Sequence, residues 1–259
     1  MNEDQMGRII AVANQKGGVG KTTTVINLSA ALAESGQRVL AVDMDPQGNL
    51  SSGLGCARGS FEAGTYELIM GEAQSTEAIR STETERLFLL PSDVDLSGAE
   101  IELLDTQARE SALKTQLDKV RDNYDFIIID CPPSLSLLTV NALTAADSVL
   151  VPLQCEYYAL EGLSQMINTI ELIKKCMNKK LRIEGVVFTM YDNRNNLCRQ
   201  VVENVRASLD EHIYDTVIPR NVRLAGAPSY GMPITEYDSR SAGAESYRLL
   251  AAEVISKED

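Results

Sequence analysis

The sequence predicts an α/β fold: one domain over residues 1–259, built on a mainly parallel, twisted sheet with helices on both faces. Three observations predict it. Short, uniformly apolar runs recur along the chain, and strands of that composition must be buried on each side. Segments with helical spacing separate them. The first apolar run, a glycine-rich turn, a helix and a second run follow in that order, a βαβ unit whose right-handed crossover makes its strands parallel.

Taken in order, residues 1–7 are acidic and polar and read as a flexible extension, and residues 8–13 form the first strand. Residues 22–35 are a helix that stops at Gly36, and residues 38–42 the second strand. Residues 53–64 read as an irregular surface loop. Further strands follow at 87–90, 126–129, 148–152, 183–189 and 216–218, with helical spacing over 99–120 and 160–175. The lysine cluster at 174–180 is a solvated helix end. No repeat and no Pro/Gly/Ser-rich linker divides the chain.

Composition narrows the function classes. The 259 residues include 44% hydrophobic and 24% charged ones, with no apolar run long enough to cross a bilayer. The N-terminus, MNEDQMGRII, lacks the basic and hydrophobic regions of a secretory signal, which predicts a cytoplasmic protein. Five scattered cysteines without a C-x-x-C pair read as reduced thiols, with no metal cluster expected. The net charge of −13 repels nucleic acid on average, so any DNA contact rests on a local basic patch or on dimerisation.

The strongest motif is Gln15-Lys16-Gly17-Gly18-Val19-Gly20-Lys21-Thr22, between the first strand and the first helix. Glycines let successive backbone N–H groups curl around phosphate oxygens, and the helix offers its positive dipole end to the same anion. Lys21 then reaches the β/γ-phosphates and the Thr22 hydroxyl ligates Mg²⁺. The usual G-x-x-x-x-G-K-[ST] pattern has glycine where this chain has Gln15, and Lys16 adds a second lysine. ATP and Mg²⁺ are the cofactors this loop implies.

Two more stretches supply what a nucleotide hydrolase needs. Asp43 and Asp45 end the second strand beside the loop; strand alternation points them to one side, where one bonds the Mg²⁺ shell and the other orients the attacking water. Phe126-Ile127-Ile128-Ile129-Asp130 ends a third strand with an aspartate placed to hold Mg²⁺ through water, or else to cap the turn. Pro132 and Pro133 stiffen the exit of a segment able to shift with the γ-phosphate.

K-G-G-V-G-K-T-T, D-M-D-P-Q-G-N and I-I-I-D-C-P-P-S resemble the ParA/Soj family of partitioning ATPases, P-loop NTPases of the MinD-like deviant Walker A group. The likeness continues through residues 189–197, 218–224, 227–231 and 237–244. It implies an ATP sandwich homodimer in which Lys16 reaches the other subunit's ATP phosphates, so that hydrolysis needs two chains. It implies that Lys16, Gly17, Gly18, Val19, Gly20, Lys21, Thr22 and Thr23 hold ATP and that Lys16, Lys21 and Asp45 act in hydrolysis, with Asp45 activating water. Thr22, Asp43 and Asp130 lie at the metal, and Pro219, Arg220 and Asn221 line adenine. In the Soj branch the dimer clamps non-specific DNA, and the matching arginines are Arg194 and Arg223; each alternatively makes a surface ion pair. A ParB-like protein with a basic N-terminal tail would stimulate hydrolysis, for chromosome or plasmid partitioning on the nucleoid. The chain departs from the family pattern at Asn195, Gly226 and Met232.

Three other functions compete. A MinD-like membrane regulator needs a basic amphipathic tail, whereas residues 251–259 are acidic, so no membrane partner is expected. An iron–sulfur electron carrier needs cysteines at another spacing than Cys131 offers. A non-catalytic, ATP-dependent recruiting or regulatory module differs only in lacking turnover. His212 is the only histidine and suggests no chemistry. Tyr157 and Tyr158 read as packing or dimer-contact residues.

Overall fold

The computed structural model describes residues 6–257. Eight strands form one sheet: β1 (Arg8–Val12), β2 (Val39–Asp43), β3 (Arg80–Ser81), β4 (Leu87–Leu90), β5 (Phe126–Asp130), β6 (Ser148–Gln154), β7 (Arg182–Tyr191) and β8 (Ile213–Pro219). Their order is β3-β4-β2-β5-β1-β6-β7-β8, and every pairing is parallel except β3 with β4. β3 has only two residues, too few for an apolar pattern to reveal it.

The apolar strands are buried on both faces, as their composition requires. Ile9, Ala11, Leu40, Val42, Ile127 and Ile129 enter one core, while their neighbours Ile10, Val12, Val39, Ala41 and Ile128 enter the other. The second core is closed by helix Lys21–Glu34, which packs on the last long helix, Ala242–Ser256. Helices Leu137–Ala145 and Ala159–Cys176 cover the first.

One sequence expectation is corrected. The stretch 99–120 is not continuous helix but Leu96–Glu102, two 3₁₀ turns at Leu103–Asp105 and Arg109–Ser111, and a short helix Ala112–Leu117. The Thr106 hydroxyl donates to the Leu103 carbonyl at 2.8 Å and ends the first piece, and Ala108 adopts a left-handed φ of 55° that no helix continues through. Of the expected extension over residues 1–7, residues 1–5 lie outside the described residues. Gly7 is buried, and a Cβ there would lie 2.2 Å from the Tyr124 carbonyl oxygen.

The amino edge of the sheet carries a buried ionic knot. Glu184, 0% exposed on β7, accepts from Arg8 Nη2 at 3.0 Å, Ser148 Oγ at 2.6 Å and Tyr214 Oη at 3.2 Å, with Lys257 Nζ 3.6 Å from Oε1. Arg8 Nη1 donates to the carbonyls of Val254 and Lys257, so the first strand and the end of the last helix are tied together. Among the described residues, no helix is long and apolar enough to cross a membrane.

Candidate functional site

At the carboxyl edge, β1, β2 and β5 end level: Val12 and Asp43 both pair with Asp130. The loop after β1 is held at its base. Asn14 Nδ2 donates to the Pro152 carbonyl at 2.8 Å, and the Lys16 amide donates to Asn14 Oδ1 at 3.0 Å. Gln15 Nε2 donates to Thr169 Oγ1 at 2.7 Å, so the residue that replaces the pattern's glycine ties the loop to helix Ala159–Cys176. Gly20, at φ 91°, stands immediately before helix Lys21–Glu34 in a conformation that side chains resist. Its neighbour's carbonyl, Val19 O, accepts from Thr189 Oγ1 at 2.8 Å, linking the loop to the end of β7.

A cavity of about 690 Å³ opens over this loop, within the usual range for a small-molecule site. Gly17, Gly18, Gly20, Lys21, Thr22 and Thr23 line its middle. Val19 is 1% exposed and is not among the lining residues. Lys21 Nζ donates to the Lys16 carbonyl at 3.2 Å; burial lowers its pKa, while Asp130 nearby favours the charged form.

The three aspartates divide in environment. Asp45, past the end of β2, lines the cavity, with Oδ1 accepting from the Gln47 amide at 2.9 Å. Asp43 does not line it. Its carboxylate is fully buried and occupied, accepting from the Asp45 amide at 3.1 Å, the Ser51 amide at 2.9 Å and Ser51 Oγ at 2.7 Å. The expectation that Asp43 and Asp45 face one ligand from a common strand is thereby revised, because β2 ends at Asp43 and the backbone turns there. Burial raises the Asp43 pKa to about 7 despite these donors. Asp130 is also 0% exposed, and among the described residues neither of its oxygens has a hydrogen-bond partner. Burial and then Asp43 push its pKa up; the Thr22 hydroxyl and Lys21 pull the other way.

The cavity runs along the edge to the β7–β8 end, where Pro219 and Asn221 line it together with Ile218 and Leu224. Asn221 Oδ1 accepts from the Arg223 amide at 2.8 Å and starts helix Val222–Gly226. Arg220 is exposed and is not among the lining residues; its amide donates to Tyr191 O at 3.0 Å. Thr189, Met190 and Tyr247 line the same cavity. The sequence reading assigned them no role; the available signal was their place at strand and helix positions along the same edge.

Lys16 is not among the cavity-lining residues: its ammonium pairs with Glu156, just past β6. Arg194 makes a bidentate pair with Asp192 at 3.0 Å through each nitrogen, and Arg223 Nε lies 3.5 Å from Asp238. The arginine fork holds the Asp192 pKa down to about 2. Tyr157 and Tyr158 form an edge-on pair with ring centroids 5.1 Å apart and are 78% and 67% exposed.

Comparison with known proteins follows the same lines. A family model described as an AAA domain matches residues 7–183. The sporulation initiation inhibitor protein Soj of Bacillus subtilis is 57% identical over 249 residues, covering 96% of this chain and 98% of that protein. The chromosome partitioning protein ParA of Caulobacter vibrioides is 54% identical, covering 97% and 95%. Among solved structures, cobyrinic acid a,c-diamide synthase from Mycobacterium smegmatis with bound ADP and magnesium superposes with a TM-score of 0.86 at 40% identity, covering 96% of this chain and 94% of that one.

Proposed function

The chain belongs to the ParA/Soj family of partitioning ATPases, and on that premise we propose that it is a magnesium-dependent ATPase that closes as a homodimer around ATP, binds DNA without regard to sequence, and hydrolyses ATP on stimulation by a ParB-like partner. Segregation of a chromosome or plasmid, in the cytoplasm and on the nucleoid, is the corresponding cellular role. The observation that carries this reading is the buried Asp130 carboxylate near Thr22 and Lys21, whose two oxygens lack hydrogen-bond partners among the described residues. A carboxylate in that state is costly unless a cation and its water shell complete it, and Thr22 and Asp130 are hard oxygen donors suited to Mg²⁺. They fit it.

Held by Thr22 and Asp130, magnesium would supply positive charge to offset that developing on the transferring phosphoryl group. The chain's own residues do the rest. Amides from Gly17 to Thr22 hold the phosphate oxygens, and Lys21 counters their charge from within the chain. Asp45 keeps one oxygen on the Gln47 amide and orients the attacking water with the other. Asp43 holds the Asp45 and Ser51 amides in place from behind. Lys16 of the second copy completes the charge balance, which makes turnover wait for dimerisation. The exposed pair Tyr157 and Tyr158 suits that interface. Arg194 and Arg223 serve DNA by exchanging Asp192 and Asp238 for phosphates, and the acidic chain suits a basic partner tail.

Sedimentation with MgATP, MgADP and no nucleotide tests the reading. A dimer is expected with ATP alone, and Asp45→Ala is expected to remain dimeric while releasing phosphate at least ~10²-fold more slowly. A parent protein that stays monomeric with ATP, or an Asp45→Ala variant that turns over normally, overturns it.

A further inference from the structure

At the Asp45 side of the cavity, two side chains carry polar atoms that no described residue satisfies. β4, β2 and β5 lie next to one another, and the segments leaving their carboxyl ends form this wall. Ser92, just past β4, donates from Oγ to the Asp45 carbonyl at 3.1 Å, which sets helix Leu96–Glu102 beside the aspartate's loop. Ser97 and Glu100, one turn apart and so on one face of that helix, line the cavity. Ser136, immediately before helix Leu137–Ala145, lines it from the segment after β5. Glu100 Oε1 and Ser136 Oγ are both shielded from solvent, and neither has a hydrogen-bond partner among the described residues. The Ser136 hydroxyl makes no bond to the helix that it precedes.

Shielded polar groups left open in this way are unfavourable, and each calls for a reason. A second carboxylate beside Asp45 also adds negative charge where a triphosphate brings more, so a cation has to offset it. Lys21 is the one cation among the described residues that line the cavity, and it already serves the Lys16 carbonyl with Asp130 close by. The donor that completes Glu100 and Ser136 therefore comes from outside the chain. Lys16 has the right chemistry: its ammonium stands outside its own cavity, held only by the half-exposed Glu156, and offers three donors. We propose that Glu100 is a positioning residue of the closed dimer, its Oε1 together with Ser136 Oγ accepting from the second copy's Lys16 ammonium while the remaining donor turns to the phosphates. This rests on the dimeric ATPase reading and deepens it: the acceptors left open in the single chain favour closure and fix the direction from which the second lysine arrives.

Sedimentation with MgATP and chemical cross-linking test it together. Glu100→Gln is expected to need about tenfold more protein than the parent to dimerise. Its monomer is expected to bind MgATP no more weakly than the parent's by calorimetry, and to melt within ~3 °C of it without nucleotide. For proximity, Lys16→Cys and Glu100→Cys chains, both carrying Cys176→Ser to remove the exposed native thiol, are mixed with a short bismaleimide. Each mixed dimer keeps one intact pair, and the altered site is expected to give a covalent heterodimer with MgATP and none with MgADP. A Glu100→Gln chain that dimerises like the parent, or whose monomer binds MgATP more weakly, overturns the proposal. So does a mixture that dimerises with MgATP without cross-linking. Loss confined to stimulation by a basic peptide also overturns it and assigns the two acceptors to a partner's tail. A parent chain that stays monomeric with MgATP refutes the dimeric reading and this inference with it.

Discussion

Lys16 has one ammonium group and two claims on it. In the single chain it pairs with Glu156, and in the proposed dimer it must reach across to the other copy's phosphates. Both side chains are nearly half exposed, so the pair is screened and readily exchanged. The contact nonetheless competes with closure. Glu156→Gln is therefore expected to dimerise with MgATP at several-fold lower protein concentration than the parent in sedimentation, and the difference should shrink as salt rises. A variant that needs more protein assigns Glu156 to the interface itself. The phosphate loop was legible because glycine and lysine at fixed spacing state their own chemistry. The Glu156 contact was not, since a glutamate carries no signal of which lysine folding brings beside it.

At the level of elements, one of the three departures from the family pattern has a local answer. Asn195, where the family commonly has threonine, starts helix Asn196–Ser208 with its Oδ1 accepting from the Leu197 amide at 2.9 Å. Both residue types cap helices well. Asn195→Ala is expected to cost about 1 kcal/mol and lower the melting temperature by ~2–4 °C, whereas Asn195→Thr should stay within about 0.5 kcal/mol by denaturant unfolding. The central strands β1, β2 and β5 were legible for a similar reason: each carries an unbroken apolar run, and burial on both faces leaves few other readings. The broken segment after Leu96 was not, because its leucines keep helical spacing while Thr106 and Ala108 interrupt the backbone. The sequence reading singled out Pro219, Arg220 and Asn221, of which Pro219 and Asn221 line the cavity, but the bulge in β7 opposite β8 depends on a register between the two strands that no local pattern encodes.

Across the whole molecule, the two edges of the sheet do different work. The carboxyl edge gathers the cavity, and the amino edge holds Glu184 among Arg8, Ser148, Tyr214 and Lys257. Burial alone would raise the Glu184 pKa from its ordinary 4.5, but the Ser148 hydrogen bond and the Lys257 and Arg8 charges outweigh it and the net shift is downward. A carboxylate with a depressed folded pKa contributes stability that is present above its unfolded value and lost as pH falls through the folded one. Glu184→Gln is thus expected to melt well below the parent at pH 7, with the gap narrowing below about pH 4.5. A gap independent of pH would mean that the knot acts through shape and not charge. The sequence reading gave Glu184 no role within the strand at 183–189, since its partners come from four other places in the chain. Because Arg8 grips the backbone at Val254 and Lys257, the start of β1 and the end of the last helix are joined at the amino edge of the sheet, remote from the cavity. A fluorophore, an affinity handle or a short peptide splice joining those positions for circular permutation would accordingly leave the phosphate loop undisturbed.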